Sequence, residues 1–176
     1  MPERILRTAS ELFYRHGIRA VGVDTVAAEA GISKRTLYNH FPSKDELIAA
    51  YLAWRMRPMP PAQGSPAEEI IAFFDGLESW FASAAFRGCP LLNAVSELGE
   101  PHHPAHAIAR EGKERRRLWF RERLVALGAA DPDQLAMQLL ILSDGAIAQA
   151  LVRGDPAVAA AARAAARTLL LAAGAC

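Results

Sequence analysis

The chain has 176 residues, of which 52% are hydrophobic and 22% charged, a balance typical of a globular protein with its own core. No run approaches the roughly eighteen apolar residues of a membrane span, and Met1–Gly17 lacks the apolar centre of a signal peptide. The two cysteines are too few and too far apart to predict a disulfide framework. We therefore expect a cytoplasmic protein without a membrane span. The net charge of +1 excludes a uniformly basic coat, but residues 1–57 carry nine Lys or Arg against six Asp or Glu, which permits a nucleic-acid partner at that end.

Four helices are predicted in the amino-terminal third. Apolar residues recur at helical spacing, and each helix is bounded by a local signal such as Gly17, Gly31, Pro42 or the capping box of Ser43 and Glu46. The motif Ala30-Gly31-Ile32-Ser33 is typical of the tight turn in a helix-turn-helix. The predicted helices cover Pro2–His16, Val23–Ala30, Ser33–Phe41 and Ser43–Arg57.

The third of these helices has an unusual composition. Leu37 and Phe41 lie four residues apart, whereas the other side chains are cationic or hydrogen-bonding and point elsewhere. Such groups can form hydrogen bonds to phosphates and to base edges, so we interpret the segment as a DNA recognition helix. The alternative is a solvated surface helix that is basic by composition.

The remainder of the chain shows no strand signal. Prolines and Gly64 predict a linker over residues 58–64, and capping signals begin further helices at Ser65 and Asp131. We therefore predict an all-α protein of about nine helices. The later helices are predicted over residues 65–86, 90–98, 104–127, 131–153 and 156–173.

The stretch Gly31–Leu47, GISKRTLYNHFPSKDEL, resembles the amino-terminal signature of the Tet repressor family, and the similarity extends over about residues 3–55. The resemblance implies a homodimeric transcription regulator, usually a repressor. It implies a three-helix, helix-turn-helix DNA-binding domain over residues 1–47. The fourth helix then connects this domain to a helical ligand-binding and dimerisation domain over residues 48–176.

Individual roles follow from the same resemblance. Lys34, Arg35 and Thr36 resemble residues that contact bases. Tyr38 and His40 resemble residues that contact phosphates. The start of the third helix is therefore expected to carry sequence recognition.

Three further positions complete the expected interface. Asn39 lies on the side that would face the groove, where its amide can pair with adenine, and Lys44 resembles a phosphate contact of the family. The family often has a hydroxyl residue at the start of the second helix. This chain has Gly22 and Val23 there, and Thr25 is the predicted substitute. The residues predicted to bind DNA are Thr25, Lys34, Arg35, Thr36, Tyr38, Asn39, His40 and Lys44.

An apolar cavity between the later helices is the expected site for a small-molecule effector, because such cavities commonly bind ligands in helical bundles. Aromatic residues at helical spacing would line it, with a few polar groups to orient the ligand, although a plain core is the competing interpretation. The candidate ligand-binding residues are Phe74, Leu77, Phe81, Cys89, Asn93, His103 and Trp119.

Metal and redox chemistry are weakly indicated. His102, His103 and His106 could together bind zinc, but no cysteine or carboxylate stands beside them at ligand spacing, so exposure or cavity lining is favoured. Cys89 is expected to be a small buried residue, with a thiol sensor as the alternative. We predict no metal and no cofactor.

The last two helices, about 132–153 and 156–173, carry more apolar residues than one packed face requires. We predict that they pair with the same helices of a second copy in a two-fold homodimer. Packing within one chain is the alternative. The residues behind this prediction are Leu139, Leu140, Leu142, Ala146, Ala150, Ala159, Ala160, Ala164 and Leu170.

The sequence thus predicts a cytoplasmic, homodimeric DNA-binding regulator. We expect it to bind a pseudo-palindromic operator and to be released by an effector. No HExxH, GxSxG or Gly-rich phosphate loop is present, so an enzyme is not expected. The alternative is an all-helical interaction module without DNA binding.

Overall fold

The computed structural model describes residues 1–56, 64–100 and 102–174, and these residues form nine helices and no strand. The predicted all-α class is confirmed. The helices are α1 (Pro2–His16), α2 (Val23–Glu29), α3 (Lys34–His40), α4 (Lys44–Arg55), α5 (Pro66–Phe81), α6 (Pro90–Leu98), α7 (Pro104–Ala126), α8 (Pro132–Arg153) and α9 (Val158–Ala172).

Local capping explains most helix boundaries. The Ser65 side chain accepts the Glu68 amide while Glu68 accepts the Ser65 amide, which is a complete capping box at the start of α5. Asp131 caps α8 by accepting the Gln134 amide. For the box predicted at Ser43, the structure shows the bond from the Glu46 amide to Ser43 Oγ, at 3.1 Å.

The predicted end of α5 at Phe86 is wrong. The helix ends at Phe81, and the chain turns where Ser83 Oγ accepts the Ala85 amide at 3.3 Å. This turn brings the Phe86 ring back to 5.1 Å from the rings of both Trp80 and Phe81. Phe86 therefore packs on the end of α5 although it lies beyond the helix.

Smaller differences occur at other ends. The second helix ends at Glu29, one residue before the predicted end. Helix α9 begins at Val158, because Asp155 Oδ1 accepts the Ala157 amide in a turn before it. The described part of α4 ends at Arg55. Except for Gly64, the predicted linker over residues 58–64 lies outside the described residues.

One compact unit contains the described residues of Met1–Pro58 and Pro90–Gly112. Its core includes Ile5, Phe13, Leu47 and Tyr51, and the rings of Phe13 and Tyr51 meet edge to face at 5.6 Å. Helix α6 and the start of α7 belong to this unit together with α1–α4. The predicted functional boundary at residue 47 stays a prediction.

The second compact unit contains the described residues of Met59–Cys89 and Lys113–Cys176. Helix α5 packs on α8 and α9, and the core includes Phe74 and Phe120, whose rings stack at 6.1 Å. An ion pair of 2.6 Å joins Arg123 and Glu69, both largely buried, and ties α7 to α5.

Helix α8 is apolar enough, by length and composition alone, to cross a membrane, with a mean hydropathy of 1.6 over eighteen residues. Polar residues such as Gln138, Asp144 and Gln149 interrupt it, so it contains no unbroken apolar run. In this chain it is a packed helix of the second unit, with eight buried residues.

Candidate nucleic-acid interface

The turn between α2 and α3 has the geometry of a helix-turn-helix. The Gly31 amide bonds the Ala28 carbonyl and the Ile32 amide bonds the Ala27 carbonyl, both at 3.0 Å. These two bonds form a Schellman motif, which requires the left-handed conformation that Gly31 adopts at φ 64°. A glycine at this position therefore fixes the direction in which α3 leaves α2.

Helix α3 is held by its first residues and by one side chain. Ser33 Oγ accepts the Thr36 amide at 3.0 Å and so caps the helix. Leu37 is fully buried and is the one buried residue of α3, all of whose residues are described. Phe41, the other apolar residue of the predicted pair, is half-buried and lies just beyond the helix.

The structure places four of the predicted DNA-binding residues together on the exposed part of α3. Arg35, Tyr38, Asn39 and His40 are all exposed, and Tyr38 has 38% of its surface accessible although it is aromatic. The partly exposed ring of Tyr38 thus lies on the same surface as the Asn39 amide and the basic side chains of Arg35 and His40. Such a surface can stack on sugars, donate to phosphates and contact base edges.

Thr36 is less free than its neighbours. It is half-buried, and its hydroxyl oxygen lies 2.8 Å from the hydroxyl oxygen of Ser33. A base contact made by the Thr36 hydroxyl would therefore compete with its hydrogen bond to the Ser33 hydroxyl.

Lys34 also has a partner within the chain. Its ammonium lies 2.9 Å from a carboxylate oxygen of Asp24 in α2, and both side chains are exposed. The hydrogen bond and the charge of Asp24 raise the pKa of Lys34 above its ordinary value. The lysine is thus fully charged at neutral pH, but its charge is partly neutralised at the surface where DNA is expected.

The first residue of α4, Lys44, bends back toward the loop between α1 and α2. Its ammonium donates to the Ile18 carbonyl at 2.7 Å, and the side chain is half-buried. Thr25 is exposed in the first turn of α2, behind the N-cap residue Gly22, which has no side chain to cap the helix. Thr25 and Lys44 thus both lie in the first unit, and Lys44 also helps to hold the loop between α1 and α2.

Sequence reasoning missed Glu97 in α6. One of its carboxylate oxygens accepts the amide of Ile18 at 2.6 Å and that of Arg19 at 3.1 Å. These residues are 79 and 78 positions away in the sequence, and no local pattern around Glu97 signals the contact.

The predicted ligand-binding residues separate into two groups. Phe74, Leu77, Phe81 and Cys89 are buried in the second unit, where their side chains fill the core. Trp119 is half-buried in the same unit, with the Arg123 guanidinium 3.8 Å above its ring. The last two members of the set are Asn93 and His103, which belong to the first unit.

An open groove of about 450 Å³ lies between α5 and α9 of the second unit. None of the predicted ligand-binding residues lines it. Its walls are mainly apolar, with Asp75 and Arg167 among the charged residues at its edge. The lining residues are Ala67, Glu68, Ile71, Ala72, Asp75, Arg167, Leu170 and Leu171.

The three histidines have different environments. His102 is exposed, whereas the His103 ring accepts the Ala105 amide at 3.1 Å through Nδ1 and approaches Asp45 to 3.4 Å through Nε2. His106 is half-buried one turn further on. Among the described residues, no group of three or more His, Cys, Asp or Glu could hold a metal ion.

The surface of α8 and α9 is apolar, but with a different set of residues from the predicted one. Leu139, Leu140, Ala146 and Ala150 are buried within the chain, as are Ala159 and Leu170. The predicted residues that remain at least partly accessible are Leu142, Ala160 and Ala164. The large apolar side chains that α8 and α9 leave exposed are Met137, Ile141, Leu151, Val152 and Leu171.

The exposed apolar residues of α8 form a stripe. Met137, Ile141 and Val152 share one side of the helix with Gly145 and Ala148, and their accessible fractions are 44%, 63% and 81% for the three large side chains. A stripe of this kind is a candidate surface for contact with another molecule.

Comparison with known proteins extends these observations. A family model for bacterial regulatory proteins of the tetR family matches residues 5–51, and a tetracyclin repressor-like C-terminal domain matches residues 66–166. The HTH-type transcriptional regulator YjdC of Escherichia coli is 23% identical over 163 residues, which cover 88% of this chain and 85% of YjdC.

Two solved structures are similar over nearly the whole chain. The TetR-family transcriptional regulator SCO4454 of Streptomyces coelicolor is 31% identical, with a TM-score of 0.87 and coverage of 98% of this chain and 95% of that one. A Streptomyces avermitilis protein assigned as a TetR transcriptional regulator is 37% identical, with a TM-score of 0.85 and coverage of 98% and 97%.

Proposed function

This chain belongs to the tetR family of bacterial regulatory proteins, and from that premise we propose that it represses transcription as a homodimer that binds a pseudo-palindromic operator. Members of this family are helix-turn-helix transcriptional regulators and not enzymes, and they usually act as dimers with small-molecule effectors. DNA binding is therefore supported over the interaction module without DNA that the sequence left open.

One observation carries the proposal for the site. Helix α3 buries Leu37 and leaves Arg35, Tyr38, Asn39 and His40 exposed on a helix too short to be stable alone. We assign direct base contacts to Arg35 and Asn39, and backbone contacts to Tyr38 and His40. Lys34 also contacts a base when its ammonium leaves Asp24 and binds DNA. Thr25 and Lys44 add phosphate contacts.

Dimerisation supplies the spacing that one short helix cannot supply. The apolar stripe on α8 and the exposed Leu171 of α9 would be covered by the same residues of a second copy. A two-fold dimer of this kind would present two α3 helices to successive major grooves, which a pseudo-palindromic operator requires.

Control by an effector needs little energy. A small apolar or amphipathic molecule bound by the carboxy-terminal domain would have to favour one separation of the two DNA-binding heads by about 1–3 kcal/mol to change operator occupancy several-fold to about a hundredfold. A thermal-shift screen of the full chain with a library of such compounds would test this. No stabilising compound, or stabilisation with unchanged DNA affinity, would contradict effector control.

DNA recognition can be tested with the full chain and a pool of random duplexes. We expect the wild type to enrich duplexes with two related half-sites, and we expect its affinity for them to fall steeply with salt. Enrichment of no sequence would contradict the proposed function.

The assigned roles predict different behaviour for two variants on the enriched duplex. Lys44→Ala should weaken binding about equally for all sequences and make the salt dependence shallower by about one phosphate contact. Asn39→Ala should instead relax the preference at one base pair, by about 1–3 kcal/mol, with an unchanged salt slope. Salt titrations against matched and single-mismatch duplexes distinguish the two, and identical behaviour would contradict the assignment.

A further inference from the structure

The loop between α1 and α2 is held by a carboxylate from a distant helix. Glu97, in the last turn of α6, is half-buried and accepts the Ile18 amide at 2.6 Å and the Arg19 amide at 3.1 Å through the same oxygen. Hydrogen bonds to a charged group are stronger than neutral ones. Two neighbouring backbone donors on one carboxylate therefore define where this loop lies relative to α6.

Ile18 is also held from two other directions. Its side chain is 2% exposed in the core of the first unit, and its carbonyl accepts the Lys44 ammonium at 2.7 Å. The amide of Ile18 thus bonds α6, its carbonyl bonds the start of α4, and its side chain packs below. A further bond of 3.4 Å from the Arg19 guanidinium to the Leu98 carbonyl joins the same loop to the end of α6.

The residue before this loop is suited to the contact. Gly17 has φ 89°, and a Cβ built on it would lie 3.0 Å from the Glu97 carboxylate oxygen that accepts both amides. Any side chain at this position would be strained in its backbone and would crowd the carboxylate. Gly17 ends α1 and at the same time leaves room for Glu97.

We propose that Glu97 is a positioning residue for DNA binding, which fixes the α1–α2 loop against α6 and, through the Ile18 carbonyl, fixes Lys44 at the start of α4. The inference rests on the proposed function and deepens it, because Lys44 is one of the expected phosphate contacts. Glu97 itself does not contact DNA in this proposal. Its loss frees the loop, and Lys44 then spends less time in the position from which it can reach a phosphate.

Three variants of the full chain distinguish the effect of the Glu97 side-chain length from the effect of its charge. Glu97→Asp keeps the negative charge but withdraws the carboxylate by one methylene group. Glu97→Gln keeps an acceptor oxygen in place without the charge. Glu100→Gln removes the same charge from an exposed residue just after α6 and serves as the matched control. The DNA probe is the duplex that the wild type enriches from a random pool.

Amide hydrogen exchange is the first readout. For Glu97→Asp we expect the Ile18 and Arg19 amides to exchange about tenfold faster or more, the factor expected when a hydrogen bond to a charged group is lost. Glu97→Gln should give a smaller change, and Glu100→Gln should leave both amides as in the wild type. Wild-type exchange in Glu97→Asp would overturn the inference, because Glu97 would not be holding the loop.

DNA affinity, measured well below the melting temperature of each variant, is the second readout. We expect Glu97→Asp to bind the probe about three- to thirtyfold more weakly, Glu97→Gln to lose less affinity, and Glu100→Gln to bind like the wild type. Because every variant is folded at this temperature, a general loss of stability does not account for such differences. Faster exchange with unchanged affinity would overturn the positioning role. If Glu97→Asp does not fold, Glu97→Gln against Glu100→Gln decides the same question, since the two remove equal charge.

The two proposals fail differently. A wild type that enriches no duplex would overturn the proposed function and the DNA role of Glu97 together, while the exchange rates would still report whether the loop is held. A wild type that enriches half-sites, beside a Glu97→Asp variant with wild-type affinity, would overturn this inference alone.

Discussion

Helices α3 and α8 use their residues in opposite ways. Helix α3 has seven residues and buries one of them, whereas α8 has 22 residues and buries eight, and it still leaves large apolar side chains exposed. A short helix with one buried side chain derives its position from its neighbours, through the Ser33 cap, the Gly31 turn and Leu37. A long apolar helix is held in place mainly by its many buried side chains.

The difference suggests how the two regions tolerate change. Exposed side chains of α3 are available for DNA because the helix does not need them to fold, so replacing them should alter binding and leave stability nearly unchanged. The exposed side chains of α8 are apolar, so replacing them should alter assembly.

The largest effect is expected from Ile141→Asp on α8. Ile141 is 63% exposed, so the variant should fold, but each dimer would bury two unpaired charges in the proposed interface. We expect the dissociation constant of the dimer to rise about a thousandfold, since an interface hot-spot residue is typically worth about 2 kcal/mol or more in each subunit. Sedimentation equilibrium over a concentration series measures this.

Leu118→Asp is the matched control for that variant. Leu118 lies on α7 in the same unit and is 47% exposed, so it introduces the same charge at a similar apolar site outside α8 and α9. Equal dimer strength in both variants and the wild type would contradict the proposed interface. Equal weakening would place the contact on a wider surface than the two last helices.

A second effect is expected from Leu37→Ala in α3. Leu37 is fully buried, and removing its side chain should lower the free energy of unfolding of the first unit by about 3 kcal/mol, within the range for buried leucines. Urea unfolding measures the loss. DNA binding should fall with it, because α3 has no other buried side chain to hold it.

Leu92→Ala provides the comparison for that loss. Leu92 lies on α6 in the same unit but is 39% exposed, so we expect a change of less than about 1 kcal/mol. A Leu37→Ala variant as stable as Leu92→Ala would mean that α3 is held by its cap and turn alone.

The same contrast explains what the sequence could predict. The starts and ends of α1, α3 and α8 follow from side-chain caps, prolines and glycine stops, which act over a few residues, and the predicted bounds agree with the structure to within about a residue. The end of α5 was missed because no glycine or proline lies between Phe81 and Gly88, so no local stop signal marks the turn that follows Phe81. A pattern of burial does not show whether the chain is still helical.

Sequence reasoning reached less far for the functional surfaces. It identified α3 from residue types that lie side by side, but it could not predict that Lys34 is paired with Asp24 or that Lys44 bonds Ile18. Helical spacing placed Leu139 and Ala146 in a dimer interface, whereas the folded chain uses them in its own core. It also could not separate a cavity lining from a filled core, as Phe74 and Phe81 illustrate.

The smallest effect is expected from Asp24→Asn, which removes the exposed partner of Lys34. In the free chain the Asp24 carboxylate lies 2.9 Å from the Lys34 ammonium, so DNA must compete with Asp24 for this cation. Removing the carboxylate charge should raise the affinity for the enriched duplex several-fold at low salt and less at high salt, because both the competition and the repulsion of phosphates are screened. Fluorescence anisotropy at two salt concentrations measures both values.

Glu29→Gln supplies the control for Asp24→Asn, since Glu29 is exposed at the other end of α2 and its loss changes the net charge equally. The gain of Asp24→Asn beyond that of Glu29→Gln reports the release of Lys34 itself. A fall in affinity for Asp24→Asn alone would reverse the interpretation, because Asp24 would then be orienting Lys34 toward DNA and not withholding it. In either case stability should stay unchanged, as expected for a helix whose exposed side chains do not hold it in place.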